Sequence, residues 1–378
     1  MRDLRFVILG VLLTLMSCKK EGRDFGMPSL ASETLSGVSV AAVTPTPIQV
    51  FGAWHAGNDA CTWATVRTVT EFDSKNHWLV DRGNGSPSVN LVVLSFVNPL
   101  RLLNKTNDAG TVNGIPKGMT ADIIKYFKDK GIRVMLSIGG ITYTNDWNTA
   151  LATDATQLGL NAAAAAKSLG VGIEIDYEEN SAPNLKGLQD FITAYRTQLP
   201  YDATGANPAA RLTIDLAAGD RWLIAICREA TAKWLTTANP VLDYANAMVP
   251  SRQPSSATDA TANWKEHVDG KPQYAPPILP LAPAKFTGGL YIVTGKQACP
   301  ECINYDNSLQ KSCLNFVQTI APNGAGSTSG MLGYMFWAAE KPSTRNITTA
   351  PPYGCENGMG AAASAFGISI PLPALRQQ

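Results

Sequence analysis

The chain has 378 residues, a formal net charge of +1 and 45% hydrophobic residues, ample for one large domain with a sizeable core. So even a balance, with no basic cluster beyond short Lys/Arg pairs, speaks against a nucleic-acid partner. His55, His77 and His267 show no metal-ligand spacing, so neither a metal nor a cofactor is expected.

At the N-terminus, Arg2 and Arg5 precede the apolar run Phe6–Met16, which is too short for a mature membrane span and reads as an export signal over residues 1–17. The run ends Leu15-Met16-Ser17-Cys18, which resembles the lipobox of bacterial lipoproteins. That resemblance implies a lipidated Cys18 as the first mature residue and attachment to a membrane. Lys19 stands where an inner-membrane retention signal would have Asp, so the outer membrane or cell surface of a Gram-negative bacterium is expected. Residues 18–48 are polar and rich in Ser, Thr and Pro, as a tether requires. Cys61, Cys227, Cys299, Cys302, Cys313 and Cys355 remain; in an exported chain they are expected to form disulfides that staple a long loop.

Eight short apolar runs follow: Val50–Trp54, Asn90–Val97, Arg133–Ile138, Val171–Tyr177, Leu212–Ala217, Tyr244–Val249, Gly288–Val293 and Met331–Trp337. Helical candidates between them include Ala121–Lys130, Asn161–Leu169, Leu185–Gln198 and Ala230–Thr237. Continuous apolar strands alternating with helices indicate a parallel sheet, and eight such units predict an α/β fold, a (β/α)8 TIM barrel over residues 49–345. A doubly wound open sheet is the competing fold, weakened by the lack of a glycine-rich phosphate loop after an early strand. Residues 250–284 and 295–328 read as long loops bordering the face where barrel sites form. The tail 346–378 is expected to pack on or trail the barrel, and the protein is expected to be a monomer.

Most of the chemistry lies in Val171-Gly-Ile-Glu-Ile-Asp-Tyr-Glu178. Strand alternation places Glu174, Asp176 and Glu178 on one face, about 6–7 Å apart. Stacked carboxylates repel unless they share protons, so at least one should titrate high. A protonated carboxyl beside an ionised one is equipment for acid-catalysed glycoside cleavage.

The octet resembles the fourth-strand motif of chitinase-like glycoside hydrolases of family 18, Asp-Gly-x-Asp-x-Asp-x-Glu. Ser137-Ile138-Gly139-Gly140 resembles that family's third-strand Ser-x-Gly-Gly, and Gly333-Tyr334-Met335-Phe336-Trp337 resembles its eighth strand. The resemblance implies that Glu178 is the general acid/base. It also implies that Asp176 orients the 2-acetamido group whose oxygen attacks the anomeric carbon, with Glu174 completing the catalytic carboxylates. Trp337 would floor the sugar site, and Tyr177, Met248, Asp215 and Tyr291 would help bind substrate. Asn98 and Glu340, near strand ends, are further candidates for hydroxyl contacts or structural hydrogen bonds.

Three positions depart from the family pattern. Val171 replaces its first Asp, Glu174 its second, and Pro250 stands where a sixth-strand Tyr is expected. Glu174 is expected to approach Asp176 and share its proton. Tyr291, Tyr334 or an inward-facing Asn246 are the candidates to replace the missing hydroxyl. Two functions follow: a retaining, substrate-assisted endo-hydrolase of β-1,4-linked N-acetylglucosamine glycans (chitin, its oligomers, or the chitobiose core of N-glycans), or a non-catalytic glycan-binding lipoprotein on a degenerate barrel.

Overall fold

The computed structural model describes residues 49–58, 62–81, 85–87, 89–217, 222–248, 257–291, 331–337 and 339, apart from the side chains of residues 78, 257–261, 263, 290 and 291. Eight parallel strands close in chain order into a barrel: β1 Val50–His55, β2 Leu91–Val97, β3 Arg133–Gly139, β4 Gly172–Asp176, β5 Leu212–Leu216, β6 Ala245–Ala247, β7 Phe286–Tyr291 and β8 Gly333–Trp337. Closure comes from β1, which pairs with β2 on one side and β8 on the other. The TIM-barrel expectation holds, and the open sheet is excluded.

Strand alternation divides the apolar residues into two compartments. Phe51, Val92, Leu136, Ile173, Ile175, Ile214 and Phe336 face outward and pack under Phe127, Trp147, Phe191, Trp234 and Trp264. Val50, Trp54, Leu91, Val93, Met135, Met335 and Trp337 form a separate cluster, on the inward parity of their strands.

The outer layer contains α1 Val69–Val80, α2 Pro99–Leu103, α3 Ala121–Lys128, α4 Thr144–Leu169, α5 Leu185–Gln198, α6 Ile224–Glu229 and α7 Ala257–Asp269. Their starts follow local chemistry. Thr68 and Glu71 form a reciprocal capping box on α1, while Thr120 and Asn184 cap α3 and α5. α4 breaks at Asp154, whose side chain accepts the Gln157 N–H at 2.8 Å and so caps the second half. The expected helix Ala230–Thr237 is a π-type turn over Ala230–Trp234 that continues α6. The segment 250–284, expected as loop, carries α7.

Cys227 is a buried thiol in α6 and not half of a disulfide. The other cysteines, Cys18 among them, lie outside the described residues, as do the segment 295–328 and the tail 346–378. No helix among the described residues is long and apolar enough to cross a membrane.

Candidate functional site

The C-terminal mouth of the barrel gathers the acidic side chains. On β4, Glu174 and Asp176 share the inward parity, and Glu178 follows two residues beyond the strand end, only 7% exposed. The register aligns Ser137, Glu174 and Thr213 across β3, β4 and β5, and Asp215 with Asn246 across β5 and β6. Glu174, Asp215 and Asn246 are fully enclosed.

Glu174 is held by two N–H donors. Its Oε1 accepts from Trp54 Nε1 at 2.9 Å, and its Oε2 accepts from Asn246 Nδ2 at 2.6 Å. The Asn246 amide is itself oriented, because its Oδ1 accepts the Thr287 hydroxyl at 2.6 Å. Burial pushes the Glu174 carboxyl up to about 7, against the pull of hydrogen bonds from Trp54, Asp215, Ser137 and Asn246. Asp215 is raised well above the ordinary Asp range, first by burial and then by the neighbouring charges of Glu174 and Asp176. Neutral pH therefore finds protons inside the barrel. Desolvation is the first cause, ahead of the carboxylate repulsion that the sequence suggested. The proton-sharing neighbour seen at Glu174 is Asp215 on β5, where the sequence pointed to Asp176.

The Ser-Ile-Gly-Gly run has a steric reason. Gly139 has φ +124°, and a Cβ there would stand 1.8 Å from the Asp176 carbonyl oxygen and 2.4 Å from Trp147 Nε1. The end of β3 thus lies directly against the end of the acidic strand. Trp147 secures the junction from α4, donating Nε1–H to the carbonyls of Asp176 at 3.1 Å and Ile138 at 3.2 Å. Gly140 N–H adds a second bond to the Asp176 carbonyl at 3.0 Å.

The other expected residues divide. Trp337 ends β8 at 9% exposure, its ring edge-on to Trp54 at 6.4 Å and tilted on Phe96 at 5.6 Å. Tyr177, expected at the substrate, instead lies on the opposite face of its strand. It packs on Trp147 at 5.6 Å, donates its hydroxyl to Asn148 Oδ1 and accepts the Asn184 N–H at 3.0 Å. Parity explains this, since Tyr177 follows Ile173 and Ile175 outward. Met248 follows β6, its N–H on the Leu216 carbonyl at 2.7 Å and its side chain in the larger apolar cluster. Tyr291 pairs with Trp337 through the backbone, but its side chain lies outside the described residues, as do Pro250 and Glu340.

Of the residues proposed to replace the sixth-strand hydroxyl, Tyr334 turns outward onto Trp264 at 5.7 Å. Asn246 faces inward and directs its amide to Glu174 and Thr287. Asn98 caps α2 and donates to Asp146 at 2.5 Å, a structural use. Among the described residues no group of His, Cys, Asp and Glu suits a metal ion.

Sequence reasoning missed Trp54, Trp147 and Phe96. Inward parity marks Trp54 and Phe96 borders the β2 bulge, whereas Trp147 lies in an Asn/Thr-rich stretch that gives no such cue.

No protein-family model matches the sequence, and no curated protein matches it significantly. Solved structures do resemble the fold. A family 18 (GH18) chitinase from Pseudoalteromonas aurantia is 17% identical, with 76% of this chain and 95% of that chain covered, at a TM-score of 0.52. A Rhizomucor miehei chitinase is 13% identical, covering 82% of this chain and 99% of that one at a TM-score of 0.48. The Ostrinia furnacalis group IV chitinase in complex with allosamidin is 10% identical, covering 84% and 99% at 0.49. At 17% identity the Pseudoalteromonas aurantia structure supports a shared fold alone and leaves activity to be argued from the site.

Proposed function

We propose that this chain is a retaining, substrate-assisted endo-hydrolase of β-1,4-linked N-acetylglucosamine glycans: chitin, its oligomers or the chitobiose core of N-glycans. The observation that carries the reading is the placement of Glu178, an almost enclosed carboxyl just beyond Asp176 at the mouth of a closed barrel.

In this reading Trp337 supports the sugar at its apolar face. Glu178 gives its proton to the glycosidic oxygen as the C–O bond breaks. The acetamide oxygen bonds to the anomeric carbon from the opposite side, and the resulting oxazolinium charge is steadied by Asp176. Glu178, now a carboxylate, takes a proton from water; the water oxygen attacks the anomeric carbon, the ring opens and the starting configuration is restored. Glu174 and Asp215, holding protons beneath, keep Asp176 from facing two further full negative charges. Attachment through lipidated Cys18 to an outer membrane or cell surface belongs to the same proposal, resting on the Leu-Met-Ser-Cys run.

A second reading, a glycan-binding lipoprotein without turnover, is favoured by one feature. Asn246, the inward polar group of β6, is occupied by Glu174 and Thr287 where a sugar-binding hydroxyl was sought.

Incubation with chitooligosaccharides and with an N-glycoprotein, products read by mass spectrometry, tests both. Cleavage is expected, with Glu178→Gln lowering turnover by roughly 10²–10⁴-fold while substrate binding is retained. Binding without cleavage by the wild type establishes the second reading. Equal turnover by Glu178→Gln removes that residue from the acid role.

A further inference from the structure

Glu178 lies two residues beyond the last paired residue of β4, past the reach of the strand ladder, yet the residues on both sides of it are tied to α4. Tyr177 donates its hydroxyl to Asn148 Oδ1. Glu179 accepts the Asn148 Nδ2–H on its Oε2 at 3.0 Å. One amide therefore brackets Glu178, accepting from the residue before it and donating to the residue after it. Trp147, the neighbour of Asn148 in α4, holds the Asp176 carbonyl at 3.1 Å. Positions 176, 177 and 179 thus all hang from two consecutive helix residues.

The polarity of this bracket is fixed. Glu179 Oε1 accepts the N–H groups of Ser181 at 2.7 Å and Ala182 at 3.1 Å, which leaves Oε2 for Asn148. The Glu179 carboxyl titrates below its ordinary range, with the Asn148 N–H the first cause and the two backbone N–H groups next. It is an ionised acceptor at neutral pH and so faces the NH2 side of Asn148. Turning that amide over would set its oxygen against the carboxylate. Other anchors hold the same segment from elsewhere: the Asn184 N–H reaches the Tyr177 hydroxyl at 3.0 Å, and Asn180 Oδ1 accepts the Leu223 N–H at 2.7 Å. A change at Asn148 therefore loosens the segment without releasing it.

We propose, on the hydrolase reading above, that Asn148 is a positioning residue for Glu178: it fixes the chain on either side of the acid and so fixes where the proton is delivered. Asn148 touches no substrate in this role and acts through Tyr177 and Glu179. A general acid must sit within hydrogen-bond reach of the oxygen it protonates, and a misplacement of about 1 Å costs on the order of 10²-fold in rate.

The test exchanges donor and acceptor across the pair in the full chain. Asn148→Asp keeps an oxygen for the Tyr177 hydroxyl but turns a carboxylate on Glu179. Glu179→Gln leaves its NH2 against either the loop N–H groups or the Asn148 NH2. Together the two changes restore every bond, the new amide donating to the new carboxylate, at unchanged net charge. Each single change should lower kcat on chitooligosaccharides by about 10–100-fold with KM within about twofold, and the double variant should return to within about threefold of the wild type. Full kcat in both single variants, or losses that simply add in the double, overturn the proposal and leave the hydrolase reading standing. If Asn148→Asp fails to fold, a double variant no better than Glu179→Gln alone overturns it. Amide hydrogen exchange at Ser181 and Ala182 supplies a readout without turnover, about tenfold faster in either single variant and restored in the double; unchanged rates in both singles overturn the proposal. A wild type that cleaves no glycan sinks the hydrolase reading instead, and the exchange rates still decide whether Asn148 holds the segment.

Discussion

Replacing Glu174 by Gln tests the internal proton. Folded, the Glu174 carboxyl titrates at about 7 against an ordinary value of 4.5, raised chiefly by burial. A raised acid keeps its proton in the folded state while the unfolded chain loses one, so its contribution to stability is complete below pH 4.5 and lost as pH rises through 7. Each pH unit across that window costs about 1.4 kcal/mol, so on the order of 3 kcal/mol disappears between its ends. Gln cannot ionise. Its NH2 group must face either the Trp54 or the Asn246 N–H, a pH-independent cost of roughly 1–3 kcal/mol. Removing the Glu174 charge also eases ionisation of Asp215, which acts in the same direction. His55, held down to about 4 by burial, contributes with the opposite sign, stabilising above pH 6.5 and losing that contribution as pH falls through 4. It is common to both proteins and cancels on subtraction. Urea unfolding from pH 4.5 to 8 should therefore show Glu174→Gln as the weaker protein in acid, with the gap closing or reversing by pH 7. Parallel stability curves would refute the buried, proton-holding carboxyl.

Three shorter predictions accompany it. Gly139→Ala should cost roughly 4 kcal/mol or more, or abolish folding, because the new methyl falls on the Asp176 carbonyl, whereas Gly110→Ala, with neighbours no closer than 3.7 Å, should stay within about 0.5 kcal/mol; denaturation midpoints compare the two. Trp54→Phe removes the N–H at Glu174 Oε1 and should destabilise by about 1–3 kcal/mol beyond the volume change, more at pH 8 than at pH 4.5, since an ionised carboxylate needs the donor more. A thiazoline mimic of the cyclised intermediate should inhibit cleavage of chitooligosaccharides; full activity at saturating compound would sink substrate assistance.

The barrel was legible because most strands are short, largely apolar runs separated by polar stretches, and the eight expected runs all overlap observed strands. Helices were harder. α1 carries Val-Thr-Glu-Phe-Asp-Ser with little amphipathic pattern, and its Thr68–Glu71 capping box went unread. The first half of α4 is rich in Thr and Asn, poor helix formers that tertiary packing around Trp147 overrides. α7 escaped notice because it follows a Ser/Pro stretch and has two Thr and an Asp among its first five residues, which offset the helix propensity of its Ala.

At the site, alternation on β4 was enough to separate Glu174 and Asp176 from Ile173 and Ile175, and the same rule applied to Tyr177 assigns it to the helix layer where it lies. The partners of Glu174 were out of reach. Trp54 and Asn246 lie 120 and 72 residues away in sequence, and only barrel closure and register bring them together. Neither spacing nor composition encodes those contacts.

Trp54 serves two masters: its pyrrole nitrogen grips Glu174, and its ring leans on the indole of Trp337. One side chain thus spans the ring at the mouth and the acid in the depths of the barrel, so a substitution at Trp54 removes both contacts at once.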